Sequence, residues 1–259
     1  MRNKHDFDSI VSLVKNKIGF PGDLYKFNPL KRRIEYCMSR AGISSPGEYL
    51  VLLEKSEAEL NNLVVELTIN LSYFFRNPET YELFEKICIP EITKYPKPAV
   101  WSAGCAAGEE PYTIAIIMEK FGIESEILGT DIDGTAIERA KNAVYNQFAV
   151  QFIPDTILNN YFEENNRRYR LDEKITTKVK FEVEDLFRTK HKDRFNVVFL
   201  RNVLIYLSKS AQIELLAIVK RSLKKKGFLI LGKVETMIGI DPDGDYLPVN
   251  LKERIFKLK

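Results

Sequence analysis

The sequence predicts an α/β protein in which a doubly wound, mostly parallel sheet follows a small all-helical domain. Three observations carry this. Apolar residues in the first seventy positions recur at helical spacing with no strong strand among them. After Ile89, short apolar strand-like runs alternate with amphipathic helices, the pattern of a doubly wound sheet. With 259 residues, 45% hydrophobic and 29% charged, the chain is long enough for two domains and apolar enough to bury a core.

In the amino-terminal part, Phe7, Ile10, Val11, Leu13, Val14 and Ile18 mark a first helix, and Gly19-Phe-Pro21-Gly22 ends it. A second helix is expected from Pro29 to Arg40, stopped by Ala41-Gly42. A third follows Ser44-Ser-Pro46, where a serine cap precedes proline in the first turn. A fourth runs from Glu57 to Leu67. These helices define a domain over 1–68, and 69–98, punctuated by Pro90, Pro96 and Pro98, reads as a linker. In the domain over 99–259, strands are expected at Ala99–Ala103, Glu126–Asp131, Val179–Val183, Phe195–Leu200, Gly227–Leu231 and Arg254–Leu258. Helices are expected at Glu109–Phe121, Gly134–Val144 and Lys209–Lys224.

Composition excludes several classes. With 39 Lys and Arg against 36 Asp and Glu, the net charge of +3 argues against a generic polyanion binder. Cys37, Cys88 and Cys105 are dispersed and form no CxxC, as expected of reduced thiols in a cytosolic protein. His5 and His191 are the only histidines, which disfavours a histidine metal site or a Ser-His-Asp triad. No signal-peptide h-region and no membrane span are expected.

Ligands in doubly wound sheets bind beyond the carboxyl ends of strands, at the point where strand order reverses. The strand at Ala99 empties into Gly104-Cys-Ala-Ala-Gly108, followed by Glu109, Glu110, Pro111 and Tyr112. Two carboxylates opening a helix favour a cationic group where phosphate would otherwise bind. Neither a G-x-G-x-x-G nor a P-loop pattern is present. Asp131 ends the next strand, 23 residues after Gly108, where an acidic side chain holds ribose hydroxyls in Rossmann-type sites. A cationic amino-acid tail plus a ribose without phosphates describes S-adenosylmethionine. On residues alone, a helix start at Glu109 and Glu110 and a cap at Asp131 stand as the alternative.

Three further segments make the pattern specific. Asn70-Leu-Ser-Tyr-Phe-Phe-Arg76, Trp101-Ser-Ala-Gly-Cys-Ala-Ala-Gly-Glu-Glu-Pro-Tyr112 and Arg201-Asn-Val-Leu-Ile-Tyr206 occur in this order. The chain resembles, over nearly its whole length, the chemotaxis receptor methyltransferases of the CheR family. The resemblance implies a Rossmann-like class I methyltransferase domain with a helical amino-terminal domain and a short β-subdomain at 161–180. It implies a cytoplasmic, monomeric enzyme that esterifies glutamates on the helical bundle of chemoreceptors. The methyl donor would be S-adenosylmethionine and the product S-adenosylhomocysteine; no metal, nucleic acid or membrane insertion is implied.

Carried over by position, the resemblance implies that Asn70, Ser72 and Arg76 contact the cofactor. Glu110 would hold its amino group, with Glu109 as the alternative. Asp131 would take the ribose, Asp185 and Leu186 would lie beside the adenine, and Arg201 and Asn202 would line the same pocket. Tyr206 would face the reacting methyl. Apart from the resemblance, a cationic fork and a hydroxyl make Arg76 the candidate to orient the acceptor carboxylate and Tyr206 the candidate to fix it by hydrogen bond. The sequence departs from the family in Ser72 for threonine, Ala106-Ala107 for Ser-Thr and Lys233-Val-Glu235 for His-Ser-Glu. The stretch Phe162-Glu-Glu-Asn-Asn-Arg-Arg-Tyr169 lacks the glycine-rich turn of members that grip a receptor tail.

Bland readings stand beside these. Tyr73, Phe74 and Phe75 read as core aromatics, Trp101 as core and Cys105 as small filler. On the second helix, at about 100° per residue, Leu30, Ile34, Cys37, Met38 and Ala41 share a buried stripe. Arg32, Arg33, Tyr36 and Arg40 share a separate exposed arc, either a solvated face or a docking surface for an acidic bundle. Between Leu24 and Arg40 five basic residues face one acidic; between Glu48 and Glu66 five acidic residues face one basic. Two rivals remain: a methyltransferase acting on nucleic acid, which the weak charge and absent [DN]-P-P-[YF] disfavour, and a non-catalytic scaffold that keeps the fold.

Overall fold

The computed structural model describes residues 2–68 and 71–259. Contacts divide the chain into one unit of residues 1–70 with 206–212 and another of residues 71–205 with 213–259.

The first unit is helical: α1 (Arg2–Ile18), α2 (Phe27–Arg40), α3 (Pro46–Lys55) and α4 (Glu57–Leu67). Ser45 caps α3 by accepting from the Glu48 amide, with Pro46 in the first turn, and Ser56 caps α4 by accepting from the Glu59 amide. Phe7, Ile10, Val14, Leu53 and Leu63 form its core with the α2 stripe of Leu30, Ile34, Cys37 and Met38. Ala41 departs from the expected stripe. It lies past the last helical residue, where the chain turns away, and it is exposed.

The expected arginine arc is only partly open. Arg33 Nη1 donates to the Glu66 carbonyl at 2.6 Å, satisfying an acceptor in the last turn of α4. Arg40 pairs with the Glu66 carboxylate at 3.4 Å and lies over the Tyr36 ring. Arg32 is exposed and makes no ion pair among the described residues. Residues 206–212 belong with this unit because the Lys26 amide donates to the Tyr206 carbonyl at 2.8 Å and Tyr25 bridges to Leu207.

The second unit begins with α5 (Pro78–Leu83), a π-helical turn at Phe84–Cys88 and α6 (Ile89–Ile92). Half of the segment read as a linker, 78–92, is therefore helical, and Tyr81, Phe84, Cys88, Ile89 and Ile92 are buried in the core. Then come β1 (Ala99–Ala103), α7 (Glu109–Lys120), β2 (Glu126–Asp131), α8 (Gly134–Asn142), β3 (Val144–Asn146), α9 (Gln147–Val150) and α10 (Asp155–Tyr161). These are followed by β4 (Phe162–Asn165), β5 (Arg168–Leu171), α11 (Glu173–Thr176), β6 (Val179–Val183), β7 (Phe195–Leu200), α12 (Lys209–Ser222), β8 (Leu223–Leu231), β9 (Tyr246–Asn250) and β10 (Ile255–Leu258).

The large sheet runs β6-β2-β1-β7-β8-β10-β9, parallel from β6 to β8 and antiparallel thereafter. Strand order reverses between β1 and β7, so a crevice is expected beyond their carboxyl ends. Strand β9 was not expected; it carries Pro248 and lies at the sheet edge, where a missing amide is tolerated. The small sheet runs β3-β5-β4. Its first strand begins at Val144, read as the last residue of a helix, because Ala143 takes φ 50° and stops α8. The expected subdomain at 161–180 thus gains β3, and its last two residues belong instead to β6 of the large sheet. Among the described residues, no helix is long and apolar enough to cross a membrane.

Candidate functional site

The loop after β1 is folded back onto β2. The amides of Gly104 and Cys105 both donate to the Thr130 carbonyl, at 2.8 and 2.9 Å. Gly104 takes φ +79°, and a Cβ there would stand 2.7 Å from a methyl of Val203, so this loop touches the one after β7. Gly108 takes φ +91° against α8, where a Cβ would meet Ala140 at 2.8 Å. Tyr145 of β3 donates to the Ala107 carbonyl at 2.9 Å. Cys105 is buried and its thiol is pushed well up by burial, as expected of filler and not of a nucleophile.

Asp131 ends β2 and is nearly buried. Its Oδ2 accepts from the Ala106 amide at 2.8 Å and its Oδ1 from the Asp133 amide at 3.0 Å. Each oxygen keeps a further lone pair. Burial raises its pKa, and the backbone hydrogen bonds oppose that shift. The α8 cap is Asp133, which accepts from Thr135 and Ala136. Asp131 is therefore not the cap of the next helix.

The two glutamates opening α7 have different surroundings. Glu110 is half-buried; its Oε1 accepts from Ser102 Oγ at 2.7 Å and its Oε2 from Arg201 Nη1 at 3.1 Å. Glu109 is buried, with one carboxylate oxygen unpartnered and a side-chain hydrogen bond from Ser72 on the other side of the balance. Burial pushes its pKa up to about 7.

Arg201 does not line an open pocket. It is buried, donating to Tyr81 Oη and Glu110 Oε2 at 3.1 Å each, to the Arg76 carbonyl at 2.7 Å and to Asn77 Oδ1 at 3.0 Å. One guanidinium thus ties the end of β7 to the start of α7 and to the segment after Leu71. Asn202 follows with φ 62°, and its amide donates to Glu235 Oε2 at 2.9 Å. Glu235 also accepts from the Leu204 and Gly232 amides, at 2.7 and 2.6 Å. Sequence reasoning named Glu235 only within Lys233-Val-Glu235, the counterpart of the family's His-Ser-Glu, and gave it no role.

Arg76 is half-buried, with Nη1 on the Leu71 carbonyl at 3.1 Å and Cζ 5.4 Å from the Tyr73 ring centre. Phe74 and Phe75 are core residues as expected, but Tyr73 is half-buried and packs on exposed rings. Asp185 and Leu186 sit half-buried after β6; Asp185 accepts from the Phe187 amide at 3.0 Å and pairs with Arg188. Asn70 lies outside the described residues. Tyr206 is half-buried in the first unit. The second unit therefore holds Arg76, Glu110 and Arg201 in one hydrogen-bonded group, with Asn202 next in the chain, Asp131 at the end of β2 and Ser72 on Glu109.

Two family descriptions match the sequence. "CheR methyltransferase, SAM binding domain" covers residues 70–248, and "CheR methyltransferase, all-alpha domain" covers residues 5–68. A chemotaxis protein methyltransferase of Listeria innocua is 30% identical over 237 residues, covering 90% of each chain. That of Listeria monocytogenes is 29% identical over 237 residues with the same coverage. That of Borreliella burgdorferi is 26% identical over 253 residues, covering 91% of this chain and 89% of its own.

Proposed function

Since the chain belongs to the CheR methyltransferase family and is an S-adenosylmethionine-dependent methyltransferase, we propose that it esterifies glutamate side chains of chemoreceptors, acting as a cytoplasmic monomer on their helical bundle. The observation that carries this reading is the Arg201 network, which brings Glu110 and the Arg76 segment together at the switch point of the sheet. The donor set suits the cofactor. Glu110 is the accessible carboxylate of its pair, already oriented by Ser102 and Arg201, and has lone pairs left for an ammonium group. Asp131 keeps acceptor capacity for ribose hydroxyls at the neighbouring strand end. Ser72, Asn202, Asp185 and Leu186 complete the proposed pocket, with Asn70 assigned by resemblance alone.

Bound S-adenosylmethionine supplies an electrophilic sulfonium methyl and leaves as the neutral thioether S-adenosylhomocysteine. A glutamate acceptor is already ionised at pH 7, so no residue need act as general base and no metal is required to generate the nucleophile. What the chain must supply is alignment. Arg76, fixed on the Leu71 carbonyl and over Tyr73, retains donors for an acceptor carboxylate. Tyr206 joins it by resemblance alone. The test is incubation with labelled S-adenosylmethionine and receptor cytoplasmic fragments, followed by alkaline release of methanol. Label on the fragment that survives alkali would refute ester formation. Arg76→Ala and Tyr206→Phe should each lower turnover in a folded enzyme.

Two further outcomes follow. Asp131→Ala should weaken S-adenosylmethionine binding by about 1–3 kcal/mol, while Asp131→Asn, which keeps one acceptor oxygen, should lose less. Calorimetry showing unchanged affinity in the alanine variant would place the ribose elsewhere. In the helical unit, Arg32→Glu with Arg40→Glu should raise the receptor KM and flatten the fall in rate with added salt, because screening acts within about 8–10 Å. Arg33 is left out of that test because it holds α4. A variant with the parent's KM and salt slope would show the arc to be only a solvated face.

A further inference from the structure

The sequence reading placed Tyr73 in the core, and the structure places it instead at the base of an exposed aromatic patch. Its ring centre lies 5.8 Å from that of Phe148, edge-on, and 5.0 Å from that of Phe152. Phe148 and Phe152 are 47% and 48% exposed, whereas Ala149, Val150 and Ile153 between and beside them are buried. The i, i+4 spacing turns both phenylalanines outward from a turn whose other side is core. The base is firmly held: the Phe74 amide donates to the Ala149 carbonyl at 2.9 Å, and the Ala149 amide to Asn146 Oδ1 at 3.0 Å. Clustered exposed aromatics on a rigid base mark an interaction surface more often than scattered apolar residues do.

What covers the patch is indicated by its rim. Arg76 lies over the Tyr73 ring at 5.4 Å, so a cation borders the aromatic surface on one side. The same residue's carbonyl accepts from Arg201, which holds Glu110, so the patch is continuous with the proposed site of methyl transfer. Arg76 lies against the Tyr73 ring, and Tyr73 against both phenylalanines, so the aromatic surface begins beside the guanidinium proposed to hold the acceptor carboxylate. A helix carrying a glutamate to Arg76 would lay the apolar residues of that same face against these rings.

We propose that Tyr73, Phe148 and Phe152 form the docking surface for the apolar stripe of the substrate helix, on the same face as its acceptor glutamate. This rests on the reading that the chain methylates receptor glutamates. It adds a substrate requirement: apolar side chains beside each methylated glutamate, on the same face of its helix. The partner is an amphipathic helix, and a second copy of this chain is the competing occupant.

The experiment compares parent, Phe148→Ser with Phe152→Ser, and the control Phe121→Ser, an exposed aromatic elsewhere on the same unit. Initial methylation rates are measured against receptor cytoplasmic fragment, with cofactor affinity by calorimetry and mass by sedimentation. The expected result is a receptor KM raised about tenfold in the double variant, with kcat and cofactor affinity near the parent's and the control unchanged. An unchanged KM in an active double variant overturns the docking surface and leaves the methyltransferase reading intact. A parent that transfers no alkali-labile methyl to the fragment overturns that reading and this proposal with it. A parent that sediments as a dimer, with the double variant monomeric, assigns the patch to a second copy and overturns the proposal as well.

Discussion

Arg201→Ala is expected to destabilise the protein by about 3–5 kcal/mol and to abolish measurable cofactor binding in whatever remains folded. The guanidinium is buried and reaches four partners, Tyr81, Glu110, Asn77 and the Arg76 carbonyl. Removing it strands the Glu110 carboxylate beside Ser102 without its cation and frees a buried carbonyl, so several losses fall together. Arg201→Lys should recover little, because one ammonium cannot reproduce a planar fork that spans four acceptors. The contrast with Glu110→Gln is informative. That change leaves the buried arginine its other three partners, and should cost less stability while still weakening cofactor binding. Urea titrations of the three variants, each paired with calorimetry, separate the contributions. If Arg201→Ala unfolds within about 1 kcal/mol of the parent, the network is not what holds the site together.

That network also shows where the sequence was legible. Local signals resolved well: Ser45 caps the helix it precedes, and the apolar runs of β1, β2, β6 and β7 begin and end where expected. The placing of the candidate residues at strand ends was legible too, since fold topology fixes where β1, β2 and β7 end. What failed depended on partners distant in sequence. Arg201 was expected in a pocket, yet its partners lie more than ninety positions away and bury it. Glu235 gathers three amides from two loops that no local pattern connects. Ala41 fits the helical wheel but falls after the helix ends, and Tyr73 shares the apolar character of Phe74 and Phe75 while facing a different side. Periodicity reports the direction of a side chain only while the element continues. Beyond its end, tertiary contacts decide.

Glu109 should make the protein's stability fall as pH rises from about 4.5 to about 7. Its carboxyl is buried, with one oxygen unpartnered, and burial pushes the pKa from 4.5 up to about 7. Below pH 4.5 the folded and unfolded chains both carry the proton, and the residue contributes no slope. Between the two values the unfolded chain has released its proton while the folded chain retains it, so the folded state binds more protons and loses stability with each increment of pH. Above about 7 both are ionised and the loss is complete, at about 3 kcal/mol for a shift of this size. Other carboxylates titrate in the same range, so the readout is the difference between the parent and Glu109→Gln, which cannot ionise. Unfolding free energies measured from pH 4 to 8 should show the variant gaining on the parent across that window and running parallel above it. Ser72→Ala supplies an internal check. The Ser72 hydrogen bond holds the Glu109 pKa down, so its loss should carry the midpoint of the difference curve to higher pH. A difference curve that is flat from pH 4 to 8 would mean that Glu109 ionises in the folded protein as readily as it does in the unfolded chain.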